Sequence, residues 1–106
     1  MAKFYCQSGQ FKEILTANDI EDVILKAVKK IVKNNIPYNF VMSISETGFS
    51  LSGSLLVSIV PILRDMNIEL PSDDVIIMQT CITLNFNPET LTKQGRDWIL
   101  NGGDLE

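Results

Sequence analysis

Histidine is absent from this 106-residue sequence. That gap removes the imidazole general base, the catalytic triads built on it, and imidazole metal ligation. Cysteine is scarce as well: Cys6 and Cys81 are too few for a disulfide framework and too far apart for a zinc knuckle. Positive charge is thin, with 9 Lys and Arg against 13 Asp and Glu, a net charge of −4. Nucleic-acid binding is therefore disfavoured, since affinity for phosphate backbones comes mainly from clustered cations. No apolar run reaches membrane-spanning length: "SLLVSIVPIL", residues 54–63, is about half of what a span needs, and Pro61 interrupts it. "MAKFYCQSGQF" turns polar before an apolar run develops, so no secretory signal is expected and the cytoplasm is the expected location. Charge itself is missing from two stretches, Glu46 to Arg64 and Asp74 to Glu89.

What is present reads as one α+β domain over residues 1–104, with the final Leu105-Glu106 compatible with a tag remnant. Lys3–Ser8 and Phe11–Thr16 alternate as two strands, and Gly9 supplies the positive φ that a two-residue hairpin turn needs. Asn18, with Glu21 three residues later, marks a helix start. From there Ile20, Val23, Ile24, Ala27, Val28 and Ile31 repeat at helical spacing, predicting the main amphipathic helix over about 19–33, packed on one face of the sheet. Acids fill its first turn and lysines its latter half, complementing the helix dipole, and "NNIP" ends it.

Phe40–Ser45 reads as a third strand with Phe40, Met42 and Ile44 inward, and a short strand is expected around Leu55–Ser58. Pro61 suits the first turn of a short helix near 61–67. Val75–Leu84, rich in β-branched residues and apolar on both faces, reads as a central strand covered on both sides. Asn87-Pro88 opens a C-terminal helix near 88–100, with Leu91, Gly95, Trp98 and Ile99 on one stripe. The expected architecture is a four- to five-stranded, largely antiparallel sheet with an N-terminal hairpin.

Each candidate for chemistry has a plainer reading. Cys6 lies mid-strand beside Phe4 with no histidine to activate it, so it reads as a core cysteine, as does Cys81. "QSGQF" has one glycine between two strands, not the glycine-rich strand-to-helix loop that cradles phosphate. Glu69, Asp73 and Asp74 lack the alternating ligand spacing of a calcium loop and read as a solvated loop. Lys26, Lys29, Lys30 and Lys33 read as the solvent face of the main helix, with Lys26 pairing to Asp22. No pattern calls for a metal or cofactor, and no catalytic set is assigned.

The opening "KFYCQSGQFKEIL", followed by a helix and "SISETGF", resembles short bacterial and phage proteins that begin with an F-Y-V-Q-S-G-like strand and turn. The matching positions are Phe4, Tyr5, Gln7, Ser8, Gly9, Gly48 and Phe49, with Cys6 standing where valine is usual, a sign of a tolerant apolar site. That group has no assigned activity to carry over. The functional expectation rests instead on the first uncharged stretch, where Phe49, Leu51, Leu55, Leu56 and Val57 sit among serines and glycines. Two readings stand for it: an exposed patch that binds a protein partner or a second copy, or a loop folded back over the core. The leading expectation is a small accessory protein acting by protein binding or self-association. The alternative is a ligand-binding protein or enzyme using Asp/Glu, Tyr5, Tyr38 or Cys6, and nucleic-acid binding through the lysine helix ranks below both.

Overall fold

The computed structural model describes residues 2–49 and 53–102. The fold is α+β. Four strands, β1 (Ala2–Ser8), β2 (Phe11–Ala17), β3 (Val41–Ser45) and β4 (Leu55–Ser58), form one sheet in the order β2-β1-β3-β4. Among the described residues there are four α-helices: α1 (Ile20–Asn34), α2 (Val60–Asp65), α3 (Asp73–Thr83) and α4 (Lys93–Asn101). The chain divides into two compact units, Met1–Tyr38 with Met42–Val57, and Asn39–Val41 with Ser58–Glu106.

In the first unit β1 pairs antiparallel with both β2 and β3, so the first strand of the chain is central. The hairpin turns at Gly9, φ +60°, where an added Cβ would sit 2.9 Å from the Tyr38 Cα. Glycine is required there twice over, for the backbone angle and for the close approach. Register places Phe4, Cys6, Phe11, Leu15 and Ala17 on one face, all buried, with Met42 and Ile44 of β3 buried beside them. The α1 helix lies against this face with Val23, Ile24, Ala27, Val28 and Ile31 buried. Burying each of the valines and isoleucines contributes about 1.5–3 kcal/mol, and this stripe is the main apolar contact of the unit.

The expected capping of α1 shifts by one residue. Asp19, not Asn18, is the N-cap and accepts the Asp22 N–H at 2.8 Å, while the Asp22 carboxylate accepts the Asn18 N–H at 3.1 Å. The pair resembles a capping box built from two aspartates, with the back-bond shifted to the residue before the N-cap. It also holds the Asp22 carboxyl below its ordinary 3.8, chiefly through the Asn18 N–H and secondarily through Lys26. The helix leaves through Asn35 in the left-handed region, φ 53°, with Ile36 N–H bonded to the Ile31 carbonyl.

The second unit corrects the sequence reading most sharply. Val75–Leu84 is not a strand: it forms most of α3. The Ser72 side chain accepts from the Val75 N–H, and Asp73 and Asp74 occupy the first turn, where the helix dipole favours them. Thr80 and Thr83, which read as strand residues, each donate a hydroxyl to the carbonyl four residues back, at 2.8 and 2.9 Å. The exit repeats the design of α1: Asn85 at φ 56°, with the Phe86 N–H on the Cys81 carbonyl at 2.8 Å. The end of α2 does the same at Asn67, φ 58°, with the Ile68 N–H on the Leu63 carbonyl. Three helices thus close on an asparagine followed by an apolar residue, the Schellman arrangement.

The C-terminal helix also begins later than expected. Asn87 caps only a single 3₁₀ turn, Pro88–Thr90, after which Leu91 is extended and Thr92 starts α4 by accepting from the Gly95 N–H at 3.0 Å. The last carbonyls of α4 are claimed by side chains: Ser58 Oγ donates to Ile99 at 2.5 Å and the Arg64 guanidinium to Leu100 at 3.2 Å. Arg64 also pairs with Asp73 at 2.9 Å, so one side chain links α2, α3 and α4. The core of this unit is Phe40, Ile59, Val60, Leu63, Ile76, Ile77, Cys81 and Ile99.

Candidate interaction surface

The residues expected to form a patch separate. Phe49 is half-buried, its ring edge-on to Tyr5 at 5.1 Å between centroids and the Lys12 ammonium 4.7 Å above it. At Phe49 the chain therefore turns back onto the solvent side of the hairpin, where Tyr5, Lys12 and Ile14 project. Leu51 lies outside the described residues. Leu55 and Leu56 are 46% and 38% exposed on β4, an edge strand with no charged residue, and Val57 is half-buried. Edge strands without charges are the ones open to pairing with another chain.

The thiols are placed as architecture. Cys6 is fully buried, and burial pushes its thiol up to about 11, with the Glu13 charge adding to the effect. A thiol held that high is not a nucleophile near neutral pH. Cys81 is buried too, on the inner side of α3 rather than in a strand. Burial also raises the Tyr38 hydroxyl above its ordinary 10.0. Glu69, Asp73 and Asp74 assemble no metal cluster, and no group of three potential metal ligands occurs among the described residues. Asp73 pairs with Arg64, and Asp74 lies 3.6 Å from Arg96. On α1, Lys26 meets Asp22 at 3.4 Å as its spacing predicts, and Lys30 meets Glu13 of β2 at 2.9 Å. No described helix is long and apolar enough to cross a membrane.

The feature that sequence reasoning missed is the outer side of α3. Its inner side carries Ile76, Ile77, Thr80 and Cys81. Diametrically opposite, Val75, Met78 and Ile82 are 40%, 57% and 71% exposed. They follow one another at spacings of three and four, the seam of a helix that packs on a neighbour. Leu84 and Phe86, past the helix end, are also exposed but line a groove on the Cys81 side of the helix. The signal was present in the sequence as the uncharged span from Asp74 to Glu89, but reading it as a doubly covered strand hid the open side.

Beside the exit of α3 lies an apolar groove of ≈ 260 Å³, lined by Cys81, Leu84, Phe86, Leu91, Trp98 and Ile99 among others. Thr92 supplies its only hydroxyl, which already caps α4. A volume just below the range for small-molecule sites, with a lining that is almost wholly apolar, suits an inserted apolar side chain. Every buried side-chain nitrogen and oxygen among the described residues has a hydrogen-bond partner. No family model, curated protein or solved structure matches the chain.

Proposed function

We propose that this chain is a small accessory protein that works by binding another protein, and that α3 is its main docking element. The observation that carries the reading is the exposure of Val75, Met78 and Ile82 opposite the buried face of the same helix. A helix with apolar side chains on two opposite sides has two sides to cover. Half of this one has an interior within its own unit, and a partner supplies the rest. The stripe is flanked along the helix by polar residues, Asp74 and Gln79, as partner surfaces commonly are. The uncharged edge of β4, with Leu55 and Leu56, offers a second and smaller contact.

Site-specific incorporation of a photoreactive side chain at position 82, followed by irradiation in the native cell, tests the reading. A discrete protein adduct is expected from position 82 and none from position 29, on the solvent side of α1. Equal or absent adducts from the two positions would overturn it.

A further inference from the structure

We propose that the open face of the hairpin binds single-stranded nucleic acid, an activity separate from the α3 docking reading. Register fixes what this face presents. Tyr5 pairs with Ile14 and Gln7 with Lys12, while Lys3 precedes Tyr5 by one repeat of the alternation, so all five share one side of the sheet. Phe4, Cys6 and Leu15 alternate with them and are buried on the side that carries α1. Tyr5 stands on a strand paired along both edges, and the Phe49 ring abuts it edge-on at 5.1 Å. Two half-buried rings are thereby held in place with part of their surface open.

Charge says what kind of occupant this face takes. The chain as a whole carries −4, yet the hairpin presents only cations here, Lys3 and Lys12. Neither pairs with a carboxylate among the described residues. The nearby acids point the other way. Glu13, opposite Cys6, is bonded to Lys30 of α1, and Glu46 lines a hollow with Asp19 and Ile20 at the start of α1. An anion is therefore favoured on this face and repelled from the other. Ile14 is the only aliphatic side chain that β1 and β2 place there, so an apolar partner surface of the kind α3 suits finds little to bury.

The placement of the lysines narrows the anion further. Lys3 lies 5.4 Å from the Tyr5 ring centroid and Lys12 4.7 Å from that of Phe49. An exposed contact of this kind is worth about two- to fivefold in an equilibrium, whereas a base stacked on an aromatic ring is worth about five- to 150-fold. A base thus displaces the ammonium from the ring, and the freed lysine remains close enough to meet the phosphate joined to that base. Ring and cation occur together twice, as base and phosphate do in two successive nucleotides. The rings stand at 86° to each other, an angle that accepts splayed bases of a flexible strand and not the parallel stack of a duplex.

Fluorescence anisotropy of a labelled ten-nucleotide oligothymidylate, titrated with the whole chain to about 1 mM in low salt, tests the proposal. Saturable binding is expected, with a duplex of the same length bound at least about tenfold more weakly. Two phosphate contacts predict that affinity falls about 25-fold for each tenfold rise in salt, a slope of about −1.4 that Lys12→Gln should halve. Tyr5→Val, which keeps strand preference, and Phe49→Ala should each weaken binding at least about fivefold, while Lys29→Gln on α1 leaves it unchanged. Circular dichroism confirms the fold of each variant, and Lys12→Gln, an exposed change, carries the test if a ring substitution unfolds the hairpin. Absence of binding overturns the proposal and leaves this face to an acidic protein. Binding that a duplex matches, or that survives loss of both rings, also overturns it. So does an effect of Lys29→Gln equal to that of Lys12→Gln, which would move the contact to α1.

Discussion

Helices α1 and α3 both bury one apolar stripe, yet they treat their other side in opposite ways. The outer side of α1 is lysine-rich, with Lys26 and Lys30 tied to Asp22 and Glu13, and it is complete as it stands. The outer side of α3 is Val75, Met78 and Ile82, open and without charge. An amphipathic helix announces both its conformation and its orientation, because polarity alternates at the helical period. A helix apolar on two sides announces neither, and its conformation then depends on what happens at its ends.

That contrast can be broken most forcefully from within. Ile31→Ala on α1 and Ile76→Ala on α3 remove equally buried side chains. Each should cost about 2–5 kcal/mol in urea unfolding, the usual range for such cavities. A small loss at Ile76 alone would mean that the inner side of α3 is not a true core.

Next in size is the buried thiol beneath α1. Its folded value of about 11 lies above the unfolded 9.0. The stability it confers is therefore complete below 9 and declines as pH rises toward 11, where the unfolded chain ionises and the folded one resists. Cys6→Val should flatten that alkaline decline, by about 2 kcal/mol near pH 11 in chemical denaturation. An unchanged pH profile would show that burial does not govern this thiol.

The helix starts come third. Ser72→Ala should cost about 1 kcal/mol, much as Asp19→Ala does on α1, if both caps act as the geometry implies. The helix ends are smaller still. Asn85→Ala strains a left-handed position and should cost about 1 kcal/mol or less, whereas Asn85→Gly should match or exceed the wild type. Smallest is Asp22: its depressed carboxyl stabilises α1 fully above 3.8, and the benefit is lost as pH falls through its lower folded value. Amide exchange at the start of α1 should speed up below that pH, and Asp22→Asn should remove the pH dependence.

The first unit was legible because period and turn chemistry agree. Two-residue alternation, Gly9 and the α1 stripe each point to the same hairpin and helix, and only the cap moved, from Asn18 to Asp19. Val75–Leu84 was not legible from its interior, since β-branched residues fit a buried helix as well as a strand when their neighbours pack them. Its ends did carry the answer: Ser72-Asp73-Asp74 before it, and Asn85-Phe86 after it, the same exit written as Asn35-Ile36 and Asn67-Ile68 elsewhere. A run of ten apolar-rich residues is also long for one strand. The α3 surface stayed hidden for the same reason, because which residues share a side depends on the period assigned. Likewise Phe49 sits in an uncharged stretch but finds Tyr5 and Lys12 within its own unit, a tertiary pairing that linear pattern does not encode.

The close fit of Gly9 against Tyr38, with the Gln10 amide on the Pro37 carbonyl at 3.0 Å, has a bearing on how the protein is made. The tip of the hairpin and the stretch that follows α1 lock together, so the segment from β1 to Tyr38 closes on itself. By the time Tyr38 clears the ribosome, the hairpin, its helix and the latch between them are all available, and most of their oily surface has somewhere to go. Contacts that stay within one such segment, as most of those in the hairpin and α1 do, keep contact order low, which favours rapid folding. The nascent chain then offers β3 a finished edge on which to add.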